Sequence, residues 1–210
     1  MKKIISCFCL LSGIVWLTGF ALAGEIHEAT KSGDIVKMRS LLDKNPGLLT
    51  EKDEIGKTPV HWAVGKGQPN ALKLLLDTYH ADVNIRNNNG GTPLHVAASQ
   101  AQPECARILI EHGADVNART KNDSTPLHFA AFKGQKTGHI QVAKILIEHG
   151  ADVNAETDTG GTALGMAMSR QNSEIVAMLK ERGAKLGSAQ RGQRKTGPGA
   201  GNYYLDGQGM

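Results

Sequence analysis

Apolar residues recur along this chain in pairs of helical stretches, and a short polar segment separates each pair from the next. In one pair, Ala63 and Val64 continue a first stretch, and Leu72, Leu75 and Leu76 give a second the spacing of one helical face. Pro69 precedes the second stretch, at a position where a helix tolerates proline. The pattern therefore predicts a series of helix-turn-helix pairs.

The pairs are copies of one another. Residues 91–98 form a sequence box that reads Gly-Thr-Pro-Leu-His-Val-Ala-Ala. Residues 58–64 and 125–131 are close copies of this box, and residues 162–168 are a divergent copy. The four threonines of the boxes lie 34, 33 and 37 residues apart. An Ala-Asp-Val-Asn segment follows the first three boxes, at residues 81–84, 114–117 and 151–154.

Two linked motifs at this period resemble the ankyrin repeat, whose signature is Thr-Pro-Leu-His-x-Ala about every 33 residues. The resemblance covers about Glu25 to Leu186. It implies an all-α solenoid of about five helix-turn-helix units joined by β-hairpin-like fingers, in which each unit packs only on its neighbours. We place the five repeats at about residues 25–53, 53–86, 87–119, 120–156 and 157–186.

The repeats depart from the pattern at identifiable places. The first lacks the box, and its charged outer face is expected of a terminal cap. The second is one residue longer and has His80 where other repeats have a helix-closing glycine, so we expect that turn to be rebuilt. The fourth carries four extra residues, 135–138, which we place in the turn between its helices, either with or without a role. The fifth has Ala163 and Gly165 in place of the proline and the histidine.

The two ends differ from the repeats in composition. Residues 1–23 have two lysines, an uncharged apolar run and Ala21-Leu22-Ala23, the order of a bacterial-type signal peptide. An uncleaved membrane anchor is the competing interpretation, since the run approaches the length that spans a bilayer. Residues 187–210 are predicted to be a disordered, Gly-rich, basic tail. We expect a periplasmic or secreted protein, in contact with a membrane only if the leader is retained.

Charge and sequence motifs exclude several functions. The net charge of +4 arises from the leader and the tail, so the repeats are near neutral and nucleic-acid binding is not expected. After cleavage Cys105 is the sole cysteine, and we interpret it as a buried apolar residue, with a reactive thiol as the alternative. No catalytic motif is present. We therefore predict a non-enzymatic protein without cofactor or metal.

The resemblance also assigns the histidines and a binding surface. In ankyrin repeats, the histidine at His61, His95 and His128 bonds the backbone and holds neighbouring units together. The finger tips and exposed inner-helix positions form a concave face that binds proteins. Trp62 and Phe132 are its best anchors, since aromatic residues concentrate interface energy, although Trp62 could equally be buried between repeats. The residues carried onto this face are Lys57, Trp62, Lys66, Arg86, Asn88, Asn89, Arg119, Lys121, Asn122, Phe132, Lys133 and Arg170.

The predicted function is a protein-protein interaction module that is monomeric and binds one other protein. The basic residues on the face favour a partner with acidic patches. The alternative is a membrane-tethered or host-directed secreted ankyrin protein, in which the leader or the tail determines the role.

Cleavage of the leader can be tested on the protein recovered from the exported fraction. We expect its mass to correspond to a chain that begins at Gly24, because the small residues Ala21 and Ala23 fit a signal peptidase site. A protein that keeps its leader and remains in the membrane fraction would contradict cleavage and support the tether.

Overall fold

The computed structural model describes residues 24–134 and 136–189. These residues form paired helices, and the only β-type pairing within them is an isolated bridge between Glu156 and Thr162. The predicted all-α fold is confirmed, with hairpin-like turns rather than strands in the fingers. The leader, Gln135 and residues 190–210 of the predicted tail lie outside the described residues. No helix within the described ranges is both long and apolar enough to cross a membrane.

The chain divides after Ala81 into two compact bodies. The N-terminal body contains the first two helix pairs. Residues 24–32 form its first helix, α1. Besides α-helices, this body contains one 3₁₀ turn and one π-helical segment among its described residues. Its remaining elements are α2 (Ile35–Lys44), the 3₁₀ turn (Pro46–Thr50), α3 (Pro59–Gly65), α4 (Pro69–Lys73) and the π segment (Leu74–Thr78).

The core of the N-terminal body is aliphatic. Ile26, Met38, Leu42 and Leu72 are fully buried. Val36, which the repeat pattern includes among the apolar positions, is 80% exposed. The equivalent positions of other repeats, Asn70, Glu104 and Glu174, are also exposed, so the exposure of Val36 follows from its place on the outer helix.

A helical segment accommodates the extra residue of the second repeat, which the sequence places near Thr78 and Tyr79. Leu74–Thr78 is π-helical, which accommodates one more residue per turn than the α-helix. His80 then takes the left-handed conformation (φ 52°) that Gly113 has in the next repeat (φ 83°). The amide of Ala81 still donates to the carbonyl of Leu75, at 3.0 Å. The expectation of a rebuilt turn was therefore wrong, and His80 accepts a strain of about 1 kcal/mol instead.

The C-terminal body begins at Asp82 and stacks three more helix pairs. Of the inner helices, α7 packs on both α5 and α9, and of the outer helices, α8 packs on both α6 and α10. Buried alanines such as Ala97, Ala98, Ala130 and Ala131 let the inner helices approach closely. The helices are α5 (Pro93–Gln100), α6 (Pro103–Glu111), α7 (Pro126–Lys133), α8 (Thr137–Glu148), α9 (Ala163–Ser169) and α10 (Ser173–Glu181).

The insertion of the fourth repeat lengthens a helix. Thr137 and Gly138, which we expected in a surface turn, belong to the first turn of α8. A Cβ on Gly138 would lie 2.6 Å from the carbonyl oxygen of Ala101, so only glycine fits this contact. His139 is buried beside it, with Nε2 3.2 Å from the carbonyl oxygen of Ser99. The insertion thus packs against the preceding repeat.

The three boxes that contain a histidine start their helices in the same way. Nδ1 of His95 accepts the backbone N–H of Thr92 at 3.1 Å, and Nδ1 of His128 accepts that of Thr125 at 3.1 Å. A ring nitrogen that accepts leaves the proton on the other one. Nε2 of His95 therefore donates to the carbonyl of Ser124 at 3.0 Å, and Nε2 of His128 donates to that of Ala155 at 3.1 Å. These bonds confirm that both histidines link neighbouring repeats.

Asparagines supply a second link between repeats. The side chain of Asn84 donates from Nδ2 to the carbonyl of Gly113 at 3.3 Å, and its Oδ1 accepts the backbone N–H of Asp115 at 2.9 Å. Asn117 makes the equivalent pair of bonds to the next repeat. Asn154 accepts the N–H of Lys185 at 2.8 Å. The sequence predicted only local bonds for these residues.

The ordered chain continues beyond Leu186, where the sequence predicts that the tail begins. Gly187 is buried, and Ser188 donates its hydroxyl to Glu156 at 2.8 Å. The amide of Ala189 donates to the carbonyl of Gly160 at 3.2 Å. These residues therefore belong to the packed C-terminal body.

The histidine links should make the stability depend on pH. Burial lowers the pKa of His95 and of His128 from 6.5 to about 4, and the hydrogen bonds to backbone carbonyls offset this only in part. Arg86 and His128 add to the lowering at His95, and Arg119 adds to it at His128. The stability that the neutral rings contribute is complete above pH 6.5 and is lost as the pH falls towards 4.

We expect the free energy of unfolding to fall between pH 6.5 and 4 by about 1.4 kcal/mol per pH unit for each of these two histidines. Urea denaturation at pH 7, 6 and 5 measures the slope, before most carboxylates are protonated. His128→Gln removes one of the two groups and should make the slope shallower. A free energy that is constant from pH 7 to pH 5 would contradict the account.

Candidate functional site

The finger tips of the C-terminal body stand side by side. Each finger closes through a backbone bond across its turn, such as Thr120 N–H to Ser124 O at 3.0 Å. Lys121 then donates its amide to the carbonyl of Asn89 in the preceding finger, at 3.1 Å, and Asp158 donates to Asn122 at 3.3 Å. The side chains at this edge are exposed, and those predicted to contact a partner are Asn88, Asn89, Lys121 and Asn122.

Two of the predicted contact residues also clamp the fingers. Nη1 of Arg86 donates to the carbonyls of Gly90 and of Arg119, the second in the next finger. Nη1 of Arg119 donates in the same way to the carbonyl of Glu156, at 3.0 Å, and lies 3.9 Å from the carboxylate of Asp123. Both arginines remain exposed. Their recurrence one repeat apart was the sequence signal of this structural role.

The structure brings Phe132, Lys133 and Arg170 together on the inner helices. Phe132 is half-buried on α7, and the guanidinium carbon of Arg170 lies 3.9 Å from the centre of its ring. Nζ of Lys133 lies 5.9 Å from the same ring centre. Both cations are exposed. The three residues therefore form a cation-covered aromatic patch that water and a partner can reach.

Trp62 forms a second such patch in the N-terminal body. It is half-buried, and its Nε1 donates to the carboxylate of Asp53 at 2.9 Å. Nζ atoms of Lys31, Lys57 and Lys66 lie 4.1, 4.8 and 5.9 Å from the ring centre. Lys31 belongs to the first repeat, which lacks the box, and sequence reasoning missed it.

Lys57 differs from its prediction. We expected an exposed contact residue, but it is 7% exposed because its side chain lies along the indole. Loss of water lowers the pKa of its ammonium, the carboxylate of Asp53 counteracts this, and Lys66 and Lys31 lower the pKa further. Lys66 is exposed, as predicted.

Comparison with known families decides what kind of protein carries these surfaces. The family model described as ankyrin repeats (3 copies) matches residues 26–120 and 117–190. The chain belongs to the ankyrin-repeat family. Ankyrin repeats are generally protein-protein interaction modules, and the family is typically non-enzymatic. A search of curated proteins found none that matches the chain.

In the C-terminal body, positively charged side chains are concentrated on the predicted binding face. The sequence total is near neutral over the repeats, but the fingers and the ends of the inner helices carry mostly cations. The exposed cations are Arg86, Arg119, Lys121, Lys133 and Arg170, and the exposed acids at the same finger tips are Asp123 and Asp158. This part of the surface therefore carries an excess of positive charge.

The described part of the chain offers little for catalysis. No group of three or more His, Cys, Asp or Glu residues there is placed to hold a metal ion. Cys105 is 1% exposed, and burial, with a smaller effect of Glu104, raises the pKa of its thiol to about 11. Its predicted burial is confirmed. A cavity of about 200 Å³ lies beside Thr162, whose hydroxyl donates to the carbonyl of Lys185 and not to a catalytic base.

Proposed function

We propose that this ankyrin-repeat protein is a non-enzymatic module that binds one other protein through its finger tips and inner helices. The observation that carries the proposal is the patch of Phe132, Lys133 and Arg170. Phe132 occupies a position where the neighbouring repeats have Ser99 and Ser169, so packing does not require an aromatic residue there. Half-buried aromatic and arginine side chains are the residues that contribute most to binding energy at interfaces.

The scaffold supports this use of the surface. The polar groups that recur in every regular repeat, such as His95 and Asn117, bond to the backbone of a neighbouring repeat. The face is thereby fixed before a partner arrives, which lowers the entropy cost of binding. No cofactor is required for this function.

We also propose that the mature protein is monomeric and acts in a periplasm or as a secreted protein. Support comes from the leader of residues 1–23 and its cleavage site after Ala23. The buried, weakly acidic thiol of Cys105 suits an oxidising compartment, since it resists reaction there. Retention of the leader would instead tether the same binding face to a membrane.

The proposed binding face can be tested by paired variants of the full protein. The double variant Phe132→Ala and Arg170→Ala removes the aromatic patch. Its control, Arg107→Ala and Lys144→Ala, removes exposed cationic side chains from the outer helices. Each protein is cross-linked in the exported compartment, and the captured partner is quantified by mass spectrometry.

We expect the face variant to reduce partner capture at least about ten-fold, because residues at the centre of an interface each contribute about 1–2 kcal/mol or more. The control should capture as much partner as the unmodified protein, and circular dichroism should show both variants folded. Equal capture by the face variant and the unmodified protein would contradict the proposal.

A further inference from the structure

Trp62 and the three lysines around it form a site in the N-terminal body whose ligand chemistry the proposed function does not specify. We propose that this site, the Trp62 cluster (Lys31, Lys57, Trp62 and Lys66), binds a carboxylate side chain in an acidic segment of the partner protein. The inference rests on the proposed protein-binding function and names the chemistry of the partner at one position.

The cluster is assembled from three separate parts of the chain. Lys31 comes from α1, Lys57 from the finger before α3, and Lys66 caps the end of α3. Their ammonium groups converge to within 4.1 to 5.9 Å of one ring centre. Ammonium groups held around one ring repel one another. The cation–π attraction between each ammonium group and the indole offsets only part of this repulsion.

Nearby acids do not neutralise the cluster. Asp53 uses Oδ2 to accept the indole N–H, and its Oδ1 accepts the backbone amides of Ile55 and Lys57. Glu28 pairs with Lys31 at 2.8 Å. At the ring itself, the three ammonium groups outnumber these two engaged carboxylates, which suits a carboxylate ligand.

Burial of Lys57 makes the excess charge more effective. Its ammonium is partly removed from water, and this lowers its pKa together with the effects of Lys66 and Lys31. An arriving carboxylate would favour the charged form of Lys57 by direct attraction, in a setting that screens charge less than bulk water does. Lys66 is exposed, so an incoming group can reach the cluster from its side.

A peptide side chain fits the surroundings better than a free anion. Ile55 lies in the same finger as Lys57 and is 38% exposed. It therefore offers an exposed apolar side chain two residues from Lys57. A segment that alternates acidic and aliphatic residues would contact both, whereas an inorganic ion would contact only the ammonium groups.

Fluorescence can test the proposal directly, since Trp16 and Trp62 are the only tryptophans. The full chain with Trp16→Phe leaves Trp62 as the single reporter. It is titrated at low salt with a synthetic peptide that alternates Glu and Leu with Gly-Ser spacers. A peptide with Gln in place of every Glu is the first control, and inorganic phosphate is the second.

We expect the Glu peptide to change Trp62 emission saturably, with an affinity that falls as salt is added. Lys66→Gln should weaken the binding about three-fold, the effect of removing one exposed ion pair. The matched control is Lys73→Gln, which removes an exposed charge from α4, and it should leave the affinity unchanged. Both lysines are exposed, so neither variant should unfold the protein.

The proposal is overturned if the Glu peptide gives no saturable change, if the Gln peptide binds equally well, or if phosphate saturates the same signal at lower concentration. It is equally overturned if Lys66→Gln and Lys73→Gln behave alike. These results concern Trp62 in the N-terminal body alone. Partner capture by the Phe132 and Arg170 variant is a separate test, so failure of one proposal can be told from failure of the other.

Discussion

The buried imidazole that bonds through both of its nitrogens is the interaction on which the repeat architecture depends. In His95 and His128, one nitrogen caps the ring's own helix and the other reaches a carbonyl of the next repeat. Only the neutral ring can accept at one nitrogen and donate at the other. Loss of either bond would leave a buried polar group unpaired.

This constraint separates residues that build the repeats from residues that are free to bind. Polar side chains that recur between repeats form hydrogen bonds to the backbone of a neighbouring repeat. Arg86 and Arg119 do so as well, although both are exposed. Some residues that differ between repeats instead leave part of an aromatic ring accessible to water. Phe132 and Trp62 are the clearest examples, and each gathers cations around its ring. Function is therefore proposed at the positions where the repeats disagree.

The resemblance to ankyrin repeats was enough to predict the all-α fold and the repeat-linking role of His95 and His128, because stacking imposes the same bonds in each regular repeat. Comparison of the repeats placed the extra residue of the second repeat near Thr78 and Tyr79, but it could not show that a π-helical turn at Leu74–Thr78 absorbs that residue. Nor could it show that Lys57 is covered or that Lys31 joins Trp62. Those contacts depend on how side chains from different repeats meet, which no single repeat encodes.

Nuclear magnetic resonance of the imidazole nitrogens, followed over pH, tests the central claim most directly. We predict that His95 and His128 carry their proton on Nε2 and remain neutral as the pH falls from 7 to about 5, since burial lowers both pKa values to about 4. Their nitrogen shifts should therefore stay constant over that range. Protonation of either ring near pH 6.5, or a proton on Nδ1 at neutral pH, would contradict the account.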